Sequence, residues 1–151
     1  MFQLLEKAVE GILYTTREDR DKNYPQYITS LAGSCLGYSF KVKARILKRT
    51  LKDPKKILKL DQKIQEVAHK TSDPDYQKLP HVHSDADVKR LINEIVVKME
   101  STIKEIQSLK DNNGEDIKEK LKELSKKMYR GRYLISLIEK AYRTPRVAKK
   151  E

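Results

Sequence analysis

Basic side chains recur every three or four residues through the middle of the chain, from residue 41 to residue 63. Ten basic and two acidic residues stand in this stretch, a surplus of eight positive charges. Lys and Arg at helical spacing can contact successive phosphates, and Arg can do so through two parallel hydrogen bonds. Because few acidic residues interrupt the series, we interpret it as a polyanion-binding surface; the alternative is a solvated helix face. The residues assigned to this surface are Lys41, Arg45, Lys48, Arg49, Lys52, Lys56, Lys59 and Lys63.

A second basic cluster lies nearer the end of the chain, where Arg130 and Arg132 are flanked by Tyr129 and Tyr133. These side chains can stack on bases or grip phosphate, and the equal alternative is that the tyrosines cover the edge of the core. No zinc-finger spacing, RNP motif or helix-turn-helix pattern accompanies them, so sequence-specific base recognition is not predicted. We expect the tail after residue 142 to be flexible and to contribute further contacts. Its basic residues are Arg143, Arg146, Lys149 and Lys150.

Two other groups of residues could in principle bind a metal ion or act as a nucleophile, and we expect neither to do so. The segment His81-Val-His83-Ser-Asp85 partly matches the metal-binding loops of metallo-hydrolases. That pattern has a further His where this chain has Ala86, and the acidic side chains here suit the first turn of a helix. Cys35, the single cysteine, has no His near it in sequence and is interpreted as a small core residue. No Walker loop, GxGxxG or Ser-His-Asp order is present. We predict a protein that is not an enzyme and uses no metal or cofactor.

The net charge of +11 is concentrated in two segments. Residues 41–63 contribute +8 and residues 115–151 contribute +6, whereas the rest of the chain sums to −3. Such a charge favours nucleic acid, an acidic protein or an anionic membrane as partner. The alternative, Lys and Glu enrichment in a protein from a hot environment, predicts a more balanced charge. Residues 23–40 carry no charge but are too polar for a membrane span, and we see no signal peptide.

These basic residues must be positioned by helices, and the longest predicted helix runs from Glu115 to about Arg143. Gly131 lies within its apolar seam, where it costs roughly 1 kcal/mol of helix propensity relative to Ala, so we expect another helix to cross closely there. The seam recurs at alternating spacings of four and three residues: Ile117, Leu121, Leu124, Met128, Gly131, Ile135, Ile138 and Tyr142.

Four further helices are predicted to cover this one. The first spans Phe2 to about Arg20, and the second begins at Pro25. The second contains a patch of small residues that lets a neighbouring backbone approach closely: Ala32, Gly33, Ser34, Cys35 and Gly37. The second continues into the basic series beside an apolar stripe and ends at Asp53-Pro54, where the third begins. The fourth runs from Ser84 to about Lys110, and a turn ending at Gly114 makes an αα-hairpin with the long helix. The apolar stripe is Phe40, Ala44, Leu47 and Leu51. We predict an all-α, compact antiparallel bundle of four to five helices, with one domain over 1–142 and a tail over 143–151.

Two short stretches resemble a known family. Tyr24-Pro25 followed by Leu31-Ala32-Gly33, and the run Thr71-Ser-Asp-Pro-Asp-Tyr-Gln77, are similar to segments of a small helical family encoded by two-tailed viruses of acidothermophilic archaea. That family includes a coat protein and an inhibitor of the host RNA polymerase. The resemblance implies a helical bundle located in the host cytoplasm or the virion, and binding in the polymerase's DNA-binding channel with help from a basic tail.

We therefore expect a viral regulator that binds the host RNA polymerase through its basic surface and represses transcription. The alternative is a structural or virion protein that binds DNA without choosing sequence, through the same residues. A basic subunit of a cellular nucleic-acid complex is a third interpretation. The sequence does not predict the oligomeric state.

Overall fold

The computed structural model describes residues 24–109 and 114–143. Within these ranges the protein is an all-α helical bundle with a long C-terminal helix, as predicted. The predicted helix over residues 2–20, most of the turn that ends at Gly114, and the tail from residue 144 lie outside the described residues. The helices are α1 (Tyr24–Leu47), α2 (Pro54–Lys70), α3 (Pro74–Gln77), α4 (Asp85–Leu109) and α5 (Glu115–Tyr142).

The three long helices α1, α4 and α5 form the body of the bundle. Helices α4 and α5 run antiparallel, because Lys120 near the start of α5 pairs with Glu105 near the end of α4 at 3.5 Å. Helices α1 and α4 are also antiparallel, because the backbone N–H of Leu51, shortly after the end of α1, donates a 2.9 Å hydrogen bond to Asp85 at the start of α4, while Ser39 and Met99 near the helix middles are in contact at 3.3 Å. Helix α1 therefore runs parallel to α5, and both helices end on the same side of the bundle.

Helix α5 is the element against which the others pack, since α1, α2 and α4 all contact it. The predicted seam is confirmed: every member from Leu121 to Tyr142 is buried, and only Ile117 is half-buried. After Gly131 the buried face widens to include Leu134 and Leu137. Burial of this aliphatic face is the main source of stability for a helix of this kind.

Gly131 allows a close approach, as its position in the seam predicted. A Cβ atom there would lie 2.7 Å from Cγ and 2.8 Å from Sδ of Met99 on α4, and 3.0 Å from the hydroxyl of Tyr76 on α3. These distances are too short for an unstrained contact. The glycine therefore makes room for two side chains rather than for the backbone of a crossing helix.

The second half of α1 differs from the prediction in both length and face. The helix ends at Leu47 instead of continuing to residue 53, and Phe40 and Leu47 of the predicted stripe are 42% and 49% exposed. Val42 and Ile46 are buried instead, because they extend the spacing of the buried residues earlier in α1. The predicted close approach at the small residues Gly33 and Gly37 is not found among the described residues, since a Cβ at either would meet open space.

Helix α2 is fixed at its start and along its buried side. Asp53 caps it by accepting a 2.9 Å hydrogen bond from the backbone N–H of Lys55, and Pro54 occupies its first position. Asp61 is buried and accepts a 2.8 Å hydrogen bond from the backbone N–H of Val82 in the segment before α4. These contacts hold α2 in place while its lysine-rich side stays exposed.

Candidate polyanion-binding surface

Four lysines surround an open groove between α2 and the last turns of α5, which we call the lysine groove. Its volume is about 200 Å³, and its base is the apolar surface of Leu60, Leu137 and Ala141. Among the residues that the structure describes, no acidic side chain lines it. The lysines around it are Lys56, Lys59, Lys63 and Lys140.

The helical period explains why these lysines gather around an apolar base. Leu60 packs inward, Lys56 and Lys63 lie one turn to either side of it, and Lys59 directly precedes it, so the three lysines surround the same part of α2. Lysine stems pack well along apolar surface while their ammonium groups remain in water. The buried side of α2 therefore determines where its charges point.

None of these four lysines forms an ion pair with a residue in the described part of the chain. Other lysines there are paired, for example Lys89 with Asp85 at 2.9 Å and Lys127 with Asp75 at 2.9 Å. Like charges around one groove repel each other, and no carboxylate among the lining residues of the described chain offsets that repulsion. The groove therefore carries a local surplus of positive charge that can attract an acidic partner.

A second group of cations, the arginine cluster, lies on the α1 side of the same end of α5. Arg45 and Arg143 both pair with Glu139, at 2.7 Å and 3.5 Å. Arg49 donates a 3.4 Å hydrogen bond to the backbone carbonyl of Tyr142, where the negative end of the helix dipole favours a cation. Two arginines thus share one carboxylate and the third bonds to a backbone carbonyl, which leaves the cluster with a surplus of positive charge.

Glu139 also links the arginine cluster to the middle of α1. The hydroxyl of Tyr38 donates a 3.0 Å hydrogen bond to its Oε1 atom. Burial and this hydrogen bond to a carboxylate raise the pKa of Tyr38 to about 12. The hydroxyl therefore stays protonated and keeps donating through the physiological range.

The lysine groove and the arginine cluster flank the last turn of α5, and together we call them the basic end. One carboxylate holds this region together: Oδ1 of Asp85 accepts hydrogen bonds from the hydroxyl of Tyr142 at 2.5 Å and from the backbone N–H of Leu51 at 2.9 Å. Burial acts to raise the pKa of Asp85, but these two bonds and the contact with Lys89 outweigh it and lower the pKa. Asp85 is thus held ionised at neutral pH.

The other predicted site residues that the structure describes lie outside the basic end. Arg130 pairs with Asp73 at 3.2 Å and so holds α3 against α5. Arg132 lies over the ring of Tyr38, 4.9 Å from its centroid.

Lys48 and Lys52 are exposed in the connection between α1 and α2, and Lys41 is exposed on α1. Tyr129 and Tyr133 are 46% and 53% exposed, while Arg146, Lys149 and Lys150 lie outside the described residues.

Lys140 belongs to the lysine groove but was missed by the sequence reasoning. It stands between Glu139 and Ala141, outside the basic series, and only the packing of α2 against α5 brings it beside Lys63. No local signal pointed to it, because its immediate neighbours in the sequence are acidic and apolar.

The two arrangements considered for other chemistry have structural roles in this fold. Nδ1 of His81 is 2.9 Å from Oδ2 of Asp61, and the backbone N–H of His83 donates to Asp87 at 2.8 Å. No group of three or more potential metal ligands gathers anywhere in residues 24–109 and 114–143. Cys35 is buried in α1 at 1% exposure.

The described helices include none that combines the length and apolar character needed to cross a membrane. Comparison of the chain with models of protein families, with characterised proteins and with solved structures finds no match.

Proposed function

We propose that this protein is a non-enzymatic regulator that binds an acidic partner through the basic end, and that the partner is the host RNA polymerase, whose transcription it represses. The observation on which the proposal rests is the lysine groove, where four lysines without ion-pair partners in the described residues surround an apolar base. Complementary charge of this kind speeds encounter and selects partners by sign.

The choice of a protein partner rests on the base of the groove. Leu60, Leu137 and Ala141 can receive an apolar side chain, and a phosphate backbone has no such group to offer. The choice of the polymerase among acidic proteins rests on the resemblance of residues 24–33 and 71–77 to the viral family. A cationic protein does not mimic DNA, so it would occupy the channel by meeting acidic surfaces there or by filling space.

A second candidate is sequence-independent binding of DNA, as in a virion or other structural protein. It is favoured by the spacing of Lys56, Lys59 and Lys63 along one side of α2, which suits contacts to successive phosphates. In that case affinity would fall steeply with salt and would not depend on base sequence.

Transcription in vitro by an archaeal RNA polymerase, titrated with the protein in the presence and absence of excess non-promoter DNA, tests the two candidates. Inhibition that persists with the competitor supports a target on the polymerase. Inhibition relieved by the competitor overturns the polymerase assignment in favour of DNA binding. Absence of inhibition in both arms overturns the regulatory function.

A further inference from the structure

We propose that the lysine groove binds an acidic peptide segment of the partner, with one large apolar side chain of that segment seated on Leu60, Leu137 and Ala141. This inference rests on the proposed function, because it names the chemistry by which an acidic protein would be recognised. It goes further in assigning a specific contact: an apolar anchor in the groove, with carboxylates on either side of it facing the lysines.

The size and composition of the groove support a single anchor. A volume of about 200 Å³ accommodates one large side chain but not a helix or strand. Leu60 and Leu137 are only 2% and 7% exposed to solvent, so the base is a shallow apolar surface that packing in the core holds rigid. Rigid apolar pockets at the centre of an interface are where anchoring side chains contribute most binding energy.

The lysines around the base specify the flanking residues. Lys56, Lys59 and Lys63 stand on one side and Lys140 stands on the other, so an extended segment crossing the groove meets ammonium groups before and after its anchor. Each such ion pair at an exposed site contributes only about 0.2–1 kcal/mol, and salt weakens it. The charges therefore steer and orient the segment, while the anchor determines how tightly it stays bound.

The same features disfavour nucleic acid as the occupant of the groove. Bases are held in single-stranded complexes by stacking on aromatic rings, and no aromatic residue of the described chain lines the groove. The exposed Tyr129 and Tyr133 do not line it either. An acidic segment with an aliphatic or aromatic anchor pairs its carboxylates with the lysines and packs its anchor on the apolar base.

Two labelled oligoglutamate peptides of equal length and charge test this inference, one with a single central Phe and one with Ser in its place. Binding to the full-length protein is followed by fluorescence anisotropy at low salt. We expect the Phe peptide to bind about tenfold more tightly, a difference of roughly 1.4 kcal/mol. Equal affinities for the two peptides would overturn the inference even if inhibition of transcription persisted.

The substitution Ala141→Trp locates the contact, because it fills the base of the groove without changing any charge. We expect this variant to lose the preference for the Phe peptide while its affinity for the Ser peptide stays within about twofold of that of the wild type. Ala44→Trp on the exposed side of α1 is the matched control and should keep the preference. A preference that survives Ala141→Trp in a folded protein would place the anchor elsewhere and contradict the proposal.

Discussion

The hydroxyl of Tyr142, in the last turn of α5, donates a 2.5 Å hydrogen bond to Oδ1 of Asp85, in the first turn of α4. The same oxygen accepts from the backbone N–H of Leu51, between α1 and α2. The Asp85 side chain is only 21% exposed. One carboxylate thus joins the end of α5 to the connection that leads into the lysine-bearing helix.

Asp85→Asn tests the role of this carboxylate in stability. We expect the free energy of unfolding at pH 7 to fall by about 1–3 kcal/mol, since hydrogen bonds to a partly buried carboxylate are replaced by weaker ones to a neutral amide and the ion pair with Lys89 is lost. The folded-state pKa of Asp85 lies below its unfolded value, so its contribution is present above about pH 4 and is lost as the pH falls through the folded-state value. Urea unfolding of both proteins at pH 7 and pH 3 measures this, and a difference in stability that does not shrink at pH 3 would contradict it.

Glycine substitutions test the packing of α5 against the rest of the bundle. Gly131→Ala should lower the free energy of unfolding by about 1 kcal/mol, because the new methyl group collides with Met99 and the strain exceeds the gain in helix propensity. Gly33→Ala and Gly37→Ala are the controls, since a Cβ at either would meet no described atom within 4 Å, and each should raise stability by about 0.5–1 kcal/mol. Thermal unfolding distinguishes the cases, and a more stable Gly131→Ala variant would show that the assigned contact is wrong.

The hydroxyl of Tyr76 is buried and has no hydrogen-bond partner among the described residues. Tyr76→Phe should therefore leave the free energy of unfolding unchanged or raise it by up to about 1 kcal/mol. Tyr142→Phe is the matched comparison, because that hydroxyl is bonded to Asp85, and it should cost about 1.5–3 kcal/mol. Equal losses in the two variants, measured by chemical denaturation, would mean that the Tyr76 hydroxyl has a partner after all.

The sequence predicted α5 well because one apolar seam satisfies the helical period along its whole length. In α1 two sets of apolar residues satisfy that period, one through Phe40 and Leu47 and one through Val42 and Ile46. Only contact with α4 and α5 decides between them; the predicted members within α1 are exposed, whereas Leu51, beyond the end of α1, is buried as predicted. Local spacing thus identifies a helix more reliably than it identifies its buried face.

The candidate site was predictable only in part, for a related reason. The lysines of α2 follow from spacing alone, but Lys140 joins them through tertiary packing. Arg130 had the right charge and an aromatic neighbour, yet its partner is Asp73, far away in the sequence. Which basic residues are neutralised within the fold cannot be inferred from their positions along one helix.

The central claim is that the lysine groove binds an acidic partner by virtue of its location and not simply through net charge. Two triple variants separate these effects: Lys56→Glu, Lys59→Glu and Lys63→Glu in the groove, and Lys78→Glu, Lys104→Glu and Lys126→Glu away from it. Each substitution lowers the charge by two, so both variants fall equally from +11 to +5.

The measurement is the affinity of each protein for the labelled Phe-containing oligoglutamate peptide across a range of salt concentrations. We predict that the groove variant binds about tenfold more weakly and with a smaller salt dependence, whereas the control stays within about threefold of the wild type. Equal weakening of the two variants would contradict the account, because net charge alone would then explain the binding.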